Sequence, residues 1–266
     1  LKFRFSILLF SITLCVEAEA APTPENQAVF EHAMLLGNSI QERIGQLIVK
    51  EQEGKIDKFT MSQSIQEATK GTEEVEAELR KASAGGHGVA TYVLANMQDG
   101  RAATFLGDSK ERHAEACSTY QHALDQGLIA AAVIVLRNCD EAFLRFQLDD
   151  PELLRKHSQL VNALEQPDLY SDYYPLPARG SYCFQDLGVP QVNPKQPLAT
   201  VRDALQPVSL SLEQFRGDGY YLLALQGDIA SPKVRAFFKQ VQMLAPDCLD
   251  PFNLQALSKD MESKSP

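Results

Sequence analysis

Residues 81–95 read KASAGGHGVATYVLA, with Gly85, Gly86 and Gly88 packed around His87. Such a cluster either cradles a phosphate or bends the chain between two helices, and the two readings lead to different proteins. A phosphate loop of the Walker type needs GxxxxGK[ST] after a strand; neither is present, and no strand pattern occurs before residue 168. Instead the segment recurs. HALDQG (122–127) followed by LIAAAVIVL (128–136) sets Ala123 on Ala82, Gly127 on Gly86 and Ala131 on Ala90, at an offset of 41 residues. NALEQP (162–167) follows at an offset of 40, with Pro167 in the glycine position, and weaker echoes end at Pro207 and Pro246. The marks at 86, 127, 167, 207 and 246 are spaced 41, 40, 40 and 39. A helix bend tolerates either residue, because Gly accepts a left-handed C-cap and Pro cannot continue a helix. Gly85 and Gly88 have no counterparts, since Gln126 and Ile129 stand there.

A period of roughly 40 residues fits two antiparallel helices with their connections. Small residues such as Ala90, Ala131 and Ala132 let paired helices approach closely. One pair cannot bury its apolar face alone, so pairs stack. The expected fold is all-α: an α-solenoid of antiparallel helix pairs with one long proline-rich loop. Upstream, Thr23-Pro24-Glu25 reads as N-cap, first helical residue and first-turn acid. Ala33, Leu36, Ile40, Ile44, Leu47 and Ile48 then make an amphipathic stripe that ends near Gly54. A second helix is predicted from about Met61 to Ala84, with Ile65, Ala68, Val75 and Leu79 inward and Glu73, Glu74, Glu76 and Glu78 on the solvated side. In LDDPELL (148–154), Asp150 reads as an N-cap with Pro151 first in the helix, rather than as half of a catalytic acid pair.

KASAGGHGVATYVLANMQDG resembles the Sel1-like repeat, a relative of the tetratricopeptide repeat. The resemblance rests on Ala82, Gly86, His87, Ala90, Tyr92, Leu94 and Gly100, and on Asp108, Ala116, Tyr120 and Ala123 of the following helix. It is good over about 81–136, partial over 137–167 and faint over 208–247, while 21–80 shows only helix patterning. The resemblance implies a superhelix that binds another protein along a groove lined by the first helix of each pair. Tyr92, Asn96 and Arg137 are then candidate groove residues. The implied division is a signal at 1–20, helical repeats at 21–167, an insertion at 168–200 and a C-terminal helical pair at 201–266. Some cysteine-rich relatives are associated with binding or hydrolysis of β-lactams. That leaves a small-molecule binder or weak hydrolase as an alternative, with a secreted factor acting on another cell as a further one.

The insertion carries five prolines and four tyrosines between residues 169 and 197. Tyr170, Tyr173, Tyr174 and Phe184 either form an exposed recognition surface or pack back onto the neighbouring helices.

The chain has 266 residues and a net charge of −10. Lys2 and Arg4, the apolar run from Phe5 to Val16 and Ala18-x-Ala20 form the pattern of a cleaved secretory signal. The run is shorter than the ~20 residues of a spanning helix, so no stable membrane insertion is expected after cleavage. Cys15 follows Leu14, where a lipoprotein signal carries a small residue. The product would be periplasmic or secreted. An acidic chain without a basic run is a poor match for nucleic acid or an anionic membrane.

Cys117, Cys139, Cys183 and Cys248 remain after cleavage, an even count that allows three pairings; free buried cysteines are the other reading. Cys117 lies ten residues before Gly127 and Cys139 twelve after it. Their heights on antiparallel helices differ by only ~3 Å, so a disulfide between them is plausible if both face inward. Cys183–Cys248 would then tie the insertion to the C-terminal pair, and exported cysteine-rich Sel1-like proteins likewise staple their helix pairs.

No GxSxG, HExxH or EF-hand loop occurs. His113 and Cys117, four apart in HAEAC, could share a metal, but two ligands do not make a site. His32, His122 and His157 read as surface or satisfied histidines. The expectation is a protein without catalytic residues, cofactor or metal.

Overall fold

A computed structural model describes residues 22–104, 109–139, 149–185 and 207–257. The predicted signal, Asp108 and the insertion beyond residue 185 lie outside the described residues. The fold is mostly helical, with one two-stranded sheet. In chain order the helices are α1 (Pro24–Gln52), α2 (Lys58–Ala84), α3 (Gly88–Thr104), α4 (Ser109–Asp125), α5 (Ile129–Asn138) and α6 (Pro151–Glu165). A 3-10 turn (Ser171–Tyr173), β1 (Leu176–Ala178), β2 (Val208–Leu210), α7 (Leu212–Leu225) and α8 (Pro232–Leu244) follow. From α1 to α6 each helix packs against the next, α8 packs on α7, and α7 lies against α5 and α6.

The helix ends follow local chemistry. Thr23 Oγ1 accepts from Asn26 N at 3.3 Å, and Asp150 Oδ1 from Glu152 N at 3.0 Å and Leu153 N at 2.9 Å. Ser211 and Gln214 form a reciprocal capping box at the start of α7. Gly86 (φ 87) and Gly127 (φ 86) take the left-handed conformation. Around Gly86, His87 N donates to Ala82 O at 3.1 Å and Gly86 N to Ser83 O at 2.9 Å. Around Gly127, Leu128 N donates to Ala123 O at 3.2 Å and Gly127 N to Leu124 O at 2.8 Å. Both bends are therefore the same Schellman motif, and the phosphate reading of the cluster falls away.

The later marks behave differently. Pro167 and Pro246 follow the ends of α6 and α8, but among the described residues Pro167 is followed by the 3-10 turn and β1 rather than by a helix, and Pro207 leads into β2. Proline stops a helix without supplying the left-handed turn that sends the chain straight back as a second one. Two further expectations are corrected. Ile65 is 42% exposed, because α2 has 27 residues against 17 in α3 and its first half overhangs its neighbour. Glu76 is not merely solvated: it bridges Arg80 at 2.7 Å and Arg101 of α3 at 2.5 Å.

The core centres on α5. Every residue from Ile129 to Arg137 is buried, as expected of a helix that is apolar all round. It is enclosed by α4, α6, α7 and β1. Cys117 and Cys139 stand at disulfide distance across α4 and the end of α5 (S–S 2.14 Å), and Cys183 and Cys248 join the insertion to the C-terminal segment (2.10 Å).

Candidate functional site

The helix α5 begins without a cap of its own, and the start of α3 at Gly88 is also met by a distant side chain. Leu128 offers α5 no side-chain acceptor, and an uncapped helix start leaves orphan N–H groups. The segment 168–185 supplies what is missing. Asp168 Oδ2 accepts from Ile129 N at 3.0 Å and from the Tyr174 hydroxyl at 2.7 Å, while its Oδ1 accepts from Tyr170 N at 2.7 Å. The Tyr174 hydroxyl accepts from Ala130 N at 3.2 Å. At α3 the Tyr170 hydroxyl accepts from Gly88 N at 3.0 Å and donates to Gly86 O at 3.3 Å. A Cβ on Gly88 would stand 2.8 Å from the Tyr170 ring, and one on Gly85 would strike the Asn26 amide, whose Nδ2 bonds Gly85 O. The two glycines without repeat counterparts are thus places of close approach.

This strap continues along α3. The Tyr92 hydroxyl donates to Pro177 O at 2.6 Å, and β1 pairs antiparallel with β2. Arg179 O accepts from Asn138 Nδ2 at 3.3 Å and Arg137 Nη2 at 3.4 Å. Arg137 Nη1 also donates to Asp218 Oδ2 at 2.7 Å, and Asp218 Oδ1 accepts from Tyr182 N at 2.9 Å and Cys183 N at 3.0 Å. Arg137 Nε donates to Asn138 Oδ1 at 3.0 Å, so every nitrogen of the guanidinium and both oxygens of Asp218 have a partner, which is what makes burying the pair tolerable.

His87 sits where the strap meets α1. It is fully buried between Phe30 (centroids 4.4 Å), Tyr173 (5.4 Å) and Tyr170 (6.0 Å). Its Nδ1 accepts from Ala90 N at 3.3 Å and its Nε2 meets Gln27 Oε1 at 3.1 Å, so it is a neutral ring that caps α3. Burial lowers its pKa from 6.5 to about 4. Burial raises the pKa of Tyr92, Tyr120 and Tyr174, so these hydroxyls keep their protons; the Asp168 charge adds to the rise at Tyr174.

The sequence-derived partner residues are therefore corrected. Tyr92, Arg137 and Tyr170 are buried and bonded within the chain rather than exposed to a partner. Tyr173, Tyr174 and Phe184 are half-buried and pack against the core. Of the two readings of the insertion rings, packing back onto the helices is the one observed: the hydroxyls of Tyr170 and Tyr174 meet helix starts, and that of Tyr173 bonds Gln27 of α1. Asn96 is partly buried; its Nδ2 donates to Tyr92 O at 3.1 Å, and its Oδ1 is buried without a partner among the described residues. Asp168 and Asp218 organise the strap, yet no motif marks either of them.

Among the described residues, part of the face shared by α1, α2 and α3 is left uncovered. A cleft of about 270 Å³ there is lined by Met34, Ile40, Ile44, Val75, Val93 and Met97, with Asn38 and Gln41 at its edge. A wider hollow of about 550 Å³ between the α4–α5 bend and α6 mixes Leu124 and Leu169 with Asp125, Gln159 and Asn162. The first is the better candidate, because its lining is more apolar.

One histidine–carboxylate pair lies elsewhere: His113 Nδ1 is 2.8 Å from Asp99 Oδ1. Among the described residues, no group of three or more His, Cys, Asp or Glu is placed to hold a metal, and no helix is long and apolar enough to cross a membrane. Compared with family models, curated proteins and solved structures, the chain finds no match.

Proposed function

We propose that the chain is an exported helical-repeat protein of the Sel1-like, tetratricopeptide-related kind that works by binding another protein. The shared turn geometry at Gly86 and Gly127 and the packing of each helix from α1 to α6 against the next support the repeat reading. Two cysteine pairs at disulfide distance suit an oxidising compartment.

The observation that carries the binding reading is the apolar cleft between α1, α2 and α3, which no other described residue covers. At about 270 Å³ it falls below the usual small-molecule range, roughly 300–1,000 Å³. It suits one or two apolar side chains of an extended partner segment, with the amides of Asn38 and Gln41 free to meet that segment's backbone.

The test is photo-crosslinking in the native cell, using full chain with a photoreactive residue at Gln41 and, as control, at Glu74 on the exposed side of α2. A discrete protein adduct is expected from position 41 only, and Met97→Glu should abolish it while the circular dichroism of the fold is retained. Equal adducts from both positions, or none from position 41, would overturn the reading.

A further inference from the structure

We propose that the Cys117–Cys139 disulfide is a redox-active bond, opened by a dithiol reductant with His113 as the group that receives the leaving thiolate. His113 and Cys117 lie one helical turn apart on α4, and His113 Nε2 stands 3.7 Å from Cys117 Sγ. Both ring nitrogens face oxygen acceptors. Nδ1 is 2.8 Å from Asp99 Oδ1 on α3, and Nε2 is 2.9 Å from Asn138 O at the end of α5. Acceptors on both sides call for a proton on both nitrogens, so the ring is an imidazolium beside the disulfide. The other Asp99 oxygen faces Arg179 Nε of the strap at 3.7 Å, which helps to orient the carboxylate. A cation next to a sulfur stabilises its thiolate, and a stabilised thiolate leaves faster. The His113 side chain is 39% exposed, and Cys117 and Cys139 are only partly buried, so the bond lies near the surface.

The step balances as thiol–disulfide exchange. A thiolate of the reductant attacks Cys139 Sγ; the new S–S bond forms there, the Cys117–Cys139 bond breaks, and its electron pair leaves on Cys117 Sγ beside the imidazolium. The second thiol of the reductant then displaces Cys139. Two cysteines are reduced and the dithiol is oxidised to its disulfide. The other pair lacks this arrangement: Cys183 is fully buried, and the charged group bonded to its backbone N–H is the Asp218 carboxylate.

The experiment uses the full oxidised chain in graded reductant, with alkylation and mass spectrometry. One arm uses dithiothreitol, the other a purified CxxC oxidoreductase at equal dithiol concentration, and the faster arm identifies the source. In both, Cys117 and Cys139 should be labelled at least about tenfold sooner than Cys183 and Cys248. Burial alone could order the two pairs, so two further readouts separate chemistry from access. Glutathione should be trapped on Cys139, not Cys117. His113→Gln should slow opening of the first pair by about tenfold and leave the second unchanged. Simultaneous opening, glutathione on Cys117, or wild-type rates in His113→Gln would overturn the proposal. If that variant does not fold, the order of opening and the glutathione position in the unmodified chain decide the matter.

Discussion

The helical stretch from α1 to α5 and the strap at 168–185 are held by different kinds of contact. In the first, the cap at Thr23 and the turns at Gly86 and Gly127 act on backbone groups no more than five positions away. In the second, the bonds run from Asp168 to Ile129, Tyr170 to Gly88, Tyr92 to Pro177 and Asp218 to Cys183, spanning 35 to 85 residues. Local devices specify elements one at a time. The distant ones decide how the elements lie together, and removing one strands a buried polar group.

That difference sets the scale of each disruption. Asp218→Ala should be the most damaging, because it leaves the Arg137 guanidinium charged and buried; a loss of about 3–5 kcal/mol in urea unfolding is expected. The double change Arg137→Met with Asp218→Leu should cost much less, and equal losses would show that the strap does not depend on this pair.

Next comes acid. The folded His87 has the lower pKa, so between about 4 and 6.5 the unfolded chain binds a proton that the folded one refuses. Stability should therefore fall as pH drops through that window, by up to about 3 kcal/mol, and this contribution should level off below it. Comparing urea midpoints across pH for wild type and His87→Gln tests this: the variant's slope should be shallower.

A smaller effect is expected at Gly127. Forcing a Cβ into the left-handed turn by Gly127→Ala should cost about 1–2 kcal/mol, read as a lowered Tm. Gly86→Ala should match it if the two bends are equivalent. The smallest belongs to a single cap: Asp150→Ala should cost about 1 kcal/mol. A cap variant as harmful as Asp218→Ala would erase the contrast between local and distant contacts.

The legible part of the fold follows the same line. Gly86 and Gly127 could be paired from their spacing, because a left-handed turn has few permissible residues. Cys117 and Cys139 could be paired because helix rise fixes their heights on either side of a known bend. Tyr92, Arg137 and Tyr170 were not legible as buried, since a tyrosine or arginine on a helix face looks the same whether solvent or another segment covers it. Of the candidate cleft, the α1 stripe of Ile40 and Ile44 was visible as amphipathic spacing. That no other described residue covers one side of it was not.

The sequence by itself determined where helices begin, turn and end, because caps, prolines and left-handed glycines act within one or two turns of backbone. Only the tertiary structure decided that the proline- and tyrosine-rich segment is a strap across α3 and α5. It also explained Gly85 and Gly88, whose missing side chains make room for Asn26 and Tyr170. The reason is one of range: no spacing rule links residue 88 to residue 170, and their contact exists only once the helices between them have packed.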